Sequence, residues 1–240
     1  MEGYYFLTCL LPPLPSVLGE KLAVGFPEIT RMVRRNIEAS DAQLLQAQLS
    51  VIDAANWENF DQGRDHFLEG GILTHEEIKA RRNLPAFIRQ FISEKERDIR
   101  RPCIYDRLWE LCYATILTTA REAGCRYLMD YIPWEINLRN RLVAQRLRDG
   151  DGNLADSTVL TGSAAFDFSS LLSQLDSQKN PLEAERLLDS ERLKRISSCS
   201  GSDPFSVDAI LAFLDQAVIF SRWESMMAPF DMDNFLLSGG

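Results

Sequence analysis

The stretch Trp134–Arg148, WEINLRNRLVAQRLR, constrains what this chain can fold into more than any other. At about 100° per residue, Trp134, Leu138 and Leu142 form one apolar stripe of a helix. Ile136, Val143 and Leu147 form a second, on roughly the opposite side. A surface helix has one apolar face; a helix with two is packed between layers. Two polar seams separate the stripes, one carrying Glu135, Arg139 and Arg146, the other Asn137, Arg141 and Arg148. The pattern therefore places this helix inside a multi-helix body, where its amides and guanidinium groups need partners if they are buried. Two roles fit it: a structural helix whose polar groups are satisfied by its neighbours, or a recognition or assembly element.

The rest of the chain reads as helix almost throughout. Tyr4–Leu11 is rich in aromatic and branched residues and reads as one short extended segment, stopped by Pro12, Pro13 and Pro15. Pro27 opens a helix to about Glu38. Ser40 with Gln43 forms a capping box for a helix to about Trp57, and Thr74 with Glu77 forms another. Asn59–Gly71 is a polar, glycine-bearing loop. Asn83 and Pro85 start a helix that carries Phe87, Phe91 and Ile92 inward. Asp106 is placed to cap a helix that Gly124 ends. Arg126–Arg148 is helical, with Pro133 expected to kink or break it. Asp149–Ala165 is the longest loop, and Asn180-Pro181 and Asp203-Pro204 open the last two helices. The sequence predicts an all-α, multi-helical array, one domain over residues 1–240 with a possible subdivision near 149–165.

The final helix has its own seam. Asp208, Asp215 and Arg222 recur every seven residues among Ile210, Leu211, Phe213, Leu214, Val218, Ile219, Phe220 and Trp223. Either this strip reaches water, or it faces Arg139 or Arg141 of the other two-sided helix and fixes the register of the pair, because an isolated buried charge is too costly to leave unpaired.

Composition excludes several classes. A net charge of −9 disfavours nucleic acid as the main partner, since phosphate binding wants a basic field. The N-terminus lacks a basic stretch before its apolar residues, so no secretory signal is expected, and no apolar run reaches membrane-spanning length. Five cysteines without a C-x-x-C pair fit reduced thiols in the cytoplasm, and Cys112 reads as a small core residue. Catalytic motifs are sparse. His75-Glu76-Glu77 starts like a zinc-protease helix, but Lys79 stands where the second histidine belongs. Asp149-Gly150-Asp151-Gly152-Asn153 starts like a calcium loop, but Leu154 and Leu160 stand where its glycine and bidentate glutamate belong. With two histidines and no phosphate loop, no catalytic residue, metal or cofactor is expected.

Glu135, Asn137, Leu138, Asn140 and Leu142 match the E-x-[DN]-L-x-N-[IL] helix of the C-subunit family of archaeal and bacterial A/V-type rotary ATPases, which this helix resembles. The chain more closely resembles a smaller bacterial family of unknown function encoded beside V-type ATPase genes. That likeness lies at Tyr4-Tyr5-Phe6-Leu7 with Leu11-Pro12, at Gly70-Gly71-Ile72-Leu73 with Glu76, Glu77 and Ile78, and at Leu84-Pro85 with Phe91. It continues from Asp203-Pro204-Phe205 through Ile210-Leu211-Ala212-Phe213 to Arg222-Trp223. The resemblance implies a fold like that of the C-subunit family and a non-catalytic coupling role, docked from the cytoplasmic face between the membrane rotor ring and the central shaft. The chain is shorter than full members of that family and has Asn137 where aspartate is more usual, which leaves room for an assembly factor. The loops Asn59–Gly71 and Asp149–Ala165 are the expected contact regions. Two other classes compete. One is a small-molecule enzyme with Arg139 and Arg141 gripping an anion and Asp215 or Glu135 as acid or base. The other is a free-standing helical adaptor.

Overall fold

The computed structural model describes residues 3–97, 103–147, 158–160 and 166–227. Among these there are ten helices and no strand. They are α1 (Tyr5–Leu10), α2 (Phe26–Asn36), α3 (Ala42–Asp61), α4 (His75–Lys79) and α5 (Ala86–Glu96). There follow α6 (Tyr105–Ala123), α7 (Arg126–Leu147), α8 (Ser169–Ser177), α9 (Pro181–Cys199) and α10 (Val207–Met227). The chain is an all-α multi-helical array.

Several helix ends follow from local chemistry. Pro27 sits in the first turn of α2. Thr74 and Glu77 form the reciprocal capping box of α4, and the Asn180 side chain accepts from Leu182 N at the start of α9. Gly124 ends α6 with φ at +70°, a left-handed conformation that favours glycine. Other ends depart from the sequence reading. The N-terminal segment is helix α1, not extended. Its Tyr4 amide donates to Phe205 O (2.7 Å) and its Tyr4 hydroxyl to Asp41 Oδ2 (2.5 Å), so tertiary contacts override the strand preference of its residues. Ser40 does not cap α3, which starts from Asp41 without a side-chain cap. The last helix starts from Ser206, whose hydroxyl accepts from Ala209 N, while Asp203 forms the turn before it through Phe205 N. α7 runs through Pro133 without interruption. Nothing in the sequence pattern predicts helix α8.

The helices share one continuous apolar core that runs from Tyr4 to Trp223. α6 packs against α3, α5 and α7, and α7 in turn meets α9 and α10. The two-sided helix is an inner helix over its first half, where Trp134, Ile136 and Leu138 are buried; Leu142 packs at the edge of the core, and Val143 and Leu147 of the second stripe are only half-buried. α10 closes the array by packing on α2 and α9 as well as α7, and α1 lies on α2.

The connection from α3 to α4 is held from within. Asn56 of α3 grips Leu68 by both backbone groups, accepting from its N–H (2.7 Å) and donating to its C=O (2.8 Å). One oxygen of Asp53, on the preceding turn of the helix, accepts from Ile72 N (2.9 Å) and Leu73 N (3.0 Å). Arg34 of α2 donates to the carbonyls of Gly70 and Gly71. The glycine pair is a steric requirement. A Cβ on Gly71 would collide with Asp53 Oδ1, and one on Gly70, which has φ at +102°, would lie 2.6 Å from the Phe26 ring. Gly71→Ala is expected to cost about 1–3 kcal/mol in urea unfolding, because the bracing carboxylate cannot retreat from a packed core.

Candidate functional site

Two charged groups of the two-sided helix, Glu135 and Arg139, meet partners on two neighbours, α9 and α6. Glu135 accepts from Arg192 Nε and Nη2 of α9 at 2.9–3.2 Å. Arg192 also reaches Asp189 Oδ1 (3.0 Å), one turn earlier on α9. Asp189 has no exposed surface; its second oxygen accepts from Trp223 Nε1 (2.6 Å) and from Arg222, both on α10. Arg222 extends the chain to Glu185 (2.8 Å), and Arg186 lies over the Trp223 ring at 4.8 Å. Burial works against the Arg192 charge, but the facing Glu135 carboxylate outweighs it and lifts the pKa well above the ordinary arginine value. The result is a five-charge network, Glu135–Arg192–Asp189–Arg222–Glu185, that ties α7, α9 and α10 together.

The expected pairing of Arg139 or Arg141 with the Asp208–Asp215–Arg222 strip is not what forms. Arg139 donates to Asp106 of α6 (2.7 Å) and stacks on Trp109 at 5.5 Å. Asp106, read as a cap, sits instead in the first turn of α6 and serves as that partner. Arg141 is exposed beside Asp167, at a hollow next to α8. Asp215 accepts from the Tyr127 hydroxyl (2.5 Å), and Asp208 from the Cys125 thiol (3.1 Å). The reason is geometric. Tyr127 precedes Arg139 by about 18 Å of helix, so α10 lays its acids against the first turn of α7 and not its middle. Burial pushes the Asp215 carboxyl up to about 6, against the opposing hydrogen bonds from Tyr127 and Gln48. Burial likewise raises the Tyr127 and Tyr131 phenols well above their ordinary value. These two rings stack at 5.6 Å and continue through Trp134 to Phe168.

The motif residues have internal roles. Asn137 Nδ2 donates to Pro133 O (2.7 Å). Asn140 grips Val159 by both backbone groups, at 2.8 and 2.9 Å, as Asn56 grips Leu68. Leu138 is fully buried and Leu142 packs at the edge of the core. Arg148 and most of the Asp149–Ala165 loop, including the calcium-like run, lie outside the described residues. The four groups of the expected anion site are thus dispersed: Arg139 on α6, Arg141 at the surface, Glu135 on α9, Asp215 on Tyr127. Among the described residues no group of three or more His, Cys, Asp or Glu side chains is arranged to hold a metal. Cys112 is fully buried, and burial pushes its thiol up to about 12, as suits a core residue.

Sequence reasoning missed Asp189, Arg192, Tyr127, Asp53 and Asn56. A signal existed for the first two. Asp189, Arg192, Ile196 and Cys199 follow the 3-4-3 spacing of one buried helix face, so an acid and a base stand at core positions. Nothing local marks Asp53 or Asn56, whose partners lie 12–20 residues ahead.

Fold and interior define an all-α protein whose buried charges hold its helices in register. The chain belongs to the family described as Protein of unknown function (DUF2764), whose model matches residues 1–229. No curated protein matches it.

Asp189→Ala is expected to cost about 1–3 kcal/mol, because it leaves Trp223 Nε1 unpaired in the interior and takes from Arg192 one of its two carboxylates, whereas Arg141→Ala stays below about 1 kcal/mol. Urea melts of the two variants check the contrast. A second expectation concerns pH. Burial raises Asp53 to about 6, against its two backbone N–H bonds and the Arg34 charge. The folded state therefore holds this proton more tightly than the unfolded chain. The stabilisation is full below about pH 4 and is lost as pH rises through about 6. Asp53→Asn removes that slope, so stability of the variant measured from pH 4 to 7 should fall less than that of the parent, by roughly 2–3 kcal/mol.

Proposed function

We propose that this chain is a non-catalytic coupling or assembly subunit of a bacterial V-type rotary ATPase, docking on the central shaft or on the cytoplasmic face of the membrane rotor ring. The observation that carries this reading is an apolar ridge on α1. Tyr5, Phe6 and Leu10 are 61%, 71% and 40% exposed, while Tyr4 and Leu7 of the same segment are buried. The ridge is held rigidly. Tyr4 fixes it to Asp41 and Phe205, and the Tyr5 ring packs on Phe205 at 4.2 Å. Exposed aromatic groups on a braced element are what anchor a protein interface. The partner comes from the likeness of the Glu135–Leu142 helix to the C-subunit family of rotary ATPases and of the wider chain to the family beside V-type ATPase genes.

Two further features fit. Among the described residues no helix is long and apolar enough to cross a membrane, so contact with the ring would run through protein. The motif helix is engaged inside the array, so an architecture like that of the C-subunit family would serve as a stiff spacer and not as a reactive centre. The ridge also moves the expected contact surface away from the Asn59–Gly71 loop, whose first residues extend α3 and whose last are clamped by Asn56, Asp53 and Arg34.

The test is affinity purification of the tagged protein from its own cells in mild detergent. Shaft or ring components of the ATPase are expected to co-purify, and Phe6→Asp, a change at an exposed position, is expected to abolish their recovery while leaving the melting curve unchanged. A stable contact should bury on the order of 1,200 Å² or more. Recovery of a catalytically competent enzyme without ATPase components, from an organism that has the ATPase, rejects the proposal.

A further inference from the structure

Among the described residues two aspartates have no exposed surface, Asp189 and Asp53. Two arginines bond to Asp189. Asp53 is met differently: its Oδ1 accepts from Ile72 N (2.9 Å) and Leu73 N (3.0 Å), and its Oδ2 is buried without a donor. The cation that faces it, Arg34 of α2, is engaged by the carbonyls of Gly70 and Gly71. We propose that Asp53 is a proton-operated latch on the connection from α3 to α4: with its carboxyl neutral, residues 68–74 are held shut against α3, and loss of the proton loosens them locally while the helices stay packed.

The donorless oxygen sets the sign. An ionised carboxyl spreads its charge over both oxygens, and a buried charged oxygen without a donor is far costlier than a buried hydroxyl. The closed segment therefore favours the neutral acid. The groups on the surrounding helices do not reverse this. Glu77 of α4 adds like charge. Cys112 of α6 stays neutral, since burial pushes its thiol up to about 12. Arg34 and the two N–H bonds oppose burial only in part, and the Asp53 carboxyl is raised to about 6.

The opening is local because the segment itself lies over the acid. A Cβ on Gly71 would collide with Asp53 Oδ1, so loop backbone touches the carboxyl directly. The segment is tied at few points: Asn56 at Leu68, Arg34 at Gly70 and Gly71, and Asp53 at Ile72 and Leu73. Releasing them admits water to the carboxyl, whereas the contact of α3 with α6 belongs to the core and need not part. Such partial opening is a distinct event from global unfolding. Gly70–Leu73 also line, with Arg31 and Arg34, a hollow of about 590 Å³, so the latch governs how firmly that hollow keeps its shape.

The pH window follows from the two states. In the open segment the carboxyl is an ordinary aspartate that titrates near pH ~4; in the closed one it titrates at about 6. Below about pH 4 both carry the proton and the latch has full strength. Its contribution declines as pH rises from there and is gone once pH has passed about 6. The inference stands independently of the rotary-ATPase reading, since it uses neither the α1 ridge nor the motif helix.

Hydrogen exchange of the full chain tests it, read by NMR at the Ile72 and Leu73 amides and corrected for the intrinsic pH dependence of exchange. Their protection is expected to lie below that of core amides in α6 at each pH, and to fall about tenfold from pH 5 to pH 7. Histidines also change charge in this window, and His66 and His75 stand on the same stretch of chain. Asp53→Asn keeps both histidines and an oxygen for the two N–H groups but has no proton to lose, so its protection should change by less than about twofold. Should the variant melt early, the assigned Asp53 carboxyl carbon of the parent decides, and must titrate with the same midpoint as the loss of protection. Protection equal to that of the α6 core, no fall in the parent, a fall that persists in the variant, or a carboxyl midpoint apart from that of the fall overturns the proposal.

Discussion

A carboxylate with no exposed surface sits where three helices meet, and the arrangement of the C-terminal half depends on how it is neutralised. Asp189 accepts from Arg192, Arg222 and Trp223, and Arg192 carries the connection on to Glu135 of α7. Such a network is poor evidence for stability in itself, because apolar residues of the same shape often serve as well or better. Its physical effect is on alternatives. Sliding α10 by one turn along α9 would take Arg222 and Trp223 Nε1 away from Asp189 and leave its second oxygen buried without those partners. The network therefore selects one register among several that apolar packing alone would tolerate. α7 is the helix that most needs such selection, because apolar stripes on two sides give it no unique facing.

What can be read from the sequence is set by local physics. Thr74 with Glu77, Asn180 with Pro181, and Gly124 are recognisable because a cap is decided by side chains within a few residues of the helix end. The inner position of α7 is legible because two stripes cannot both face water. The partners of its charges are not. A seven-residue spacing shows that Asp208, Asp215 and Arg222 share a face, yet it carries no information on how far α10 is shifted along α7, and that shift decides between Tyr127 and Arg139. Asp106 shows the same limit: by position it could cap α6, and only the approach of Arg139 turns it into an ion-pair partner. α1 is misread for a related reason. Six residues are too few for periodicity to speak, and the bonds from Tyr4 to Phe205 and Asp41 join segments far apart in the chain.

The motif helix bears on how function is to be sought. Of its five motif residues, Glu135 is bound to Arg192, Asn137 to its own helix, Asn140 to Val159, and Leu138 and Leu142 to the core. A pattern whose members all have internal partners is a packing pattern: two chains that share it share an architecture before they share a chemistry. Surfaces for other molecules are therefore to be sought first among the exposed residues that this helix positions.

Two asparagines show how those surfaces are made. Asn56 and Asn140 each hold one loop residue by its N–H and its C=O, so a side-chain amide stands in for a neighbouring strand. A loop tied this way satisfies its backbone without secondary structure and keeps few conformations to lose on binding. The α1 segment is tied down in the same spirit, by Tyr4 at both its backbone and its hydroxyl. Stiffness of this kind has a mechanical consequence. An element that yields under load stores work locally, whereas a braced one passes it to the helices beneath: α2 and α3 under the α1 segment and the loop held by Asn56, and α7, which the charges around Asp189 lock to α9 and α10, under the loop held by Asn140. A protein meant to carry force, or to hold two partners at a fixed separation, needs its contact surfaces joined to its core in that way.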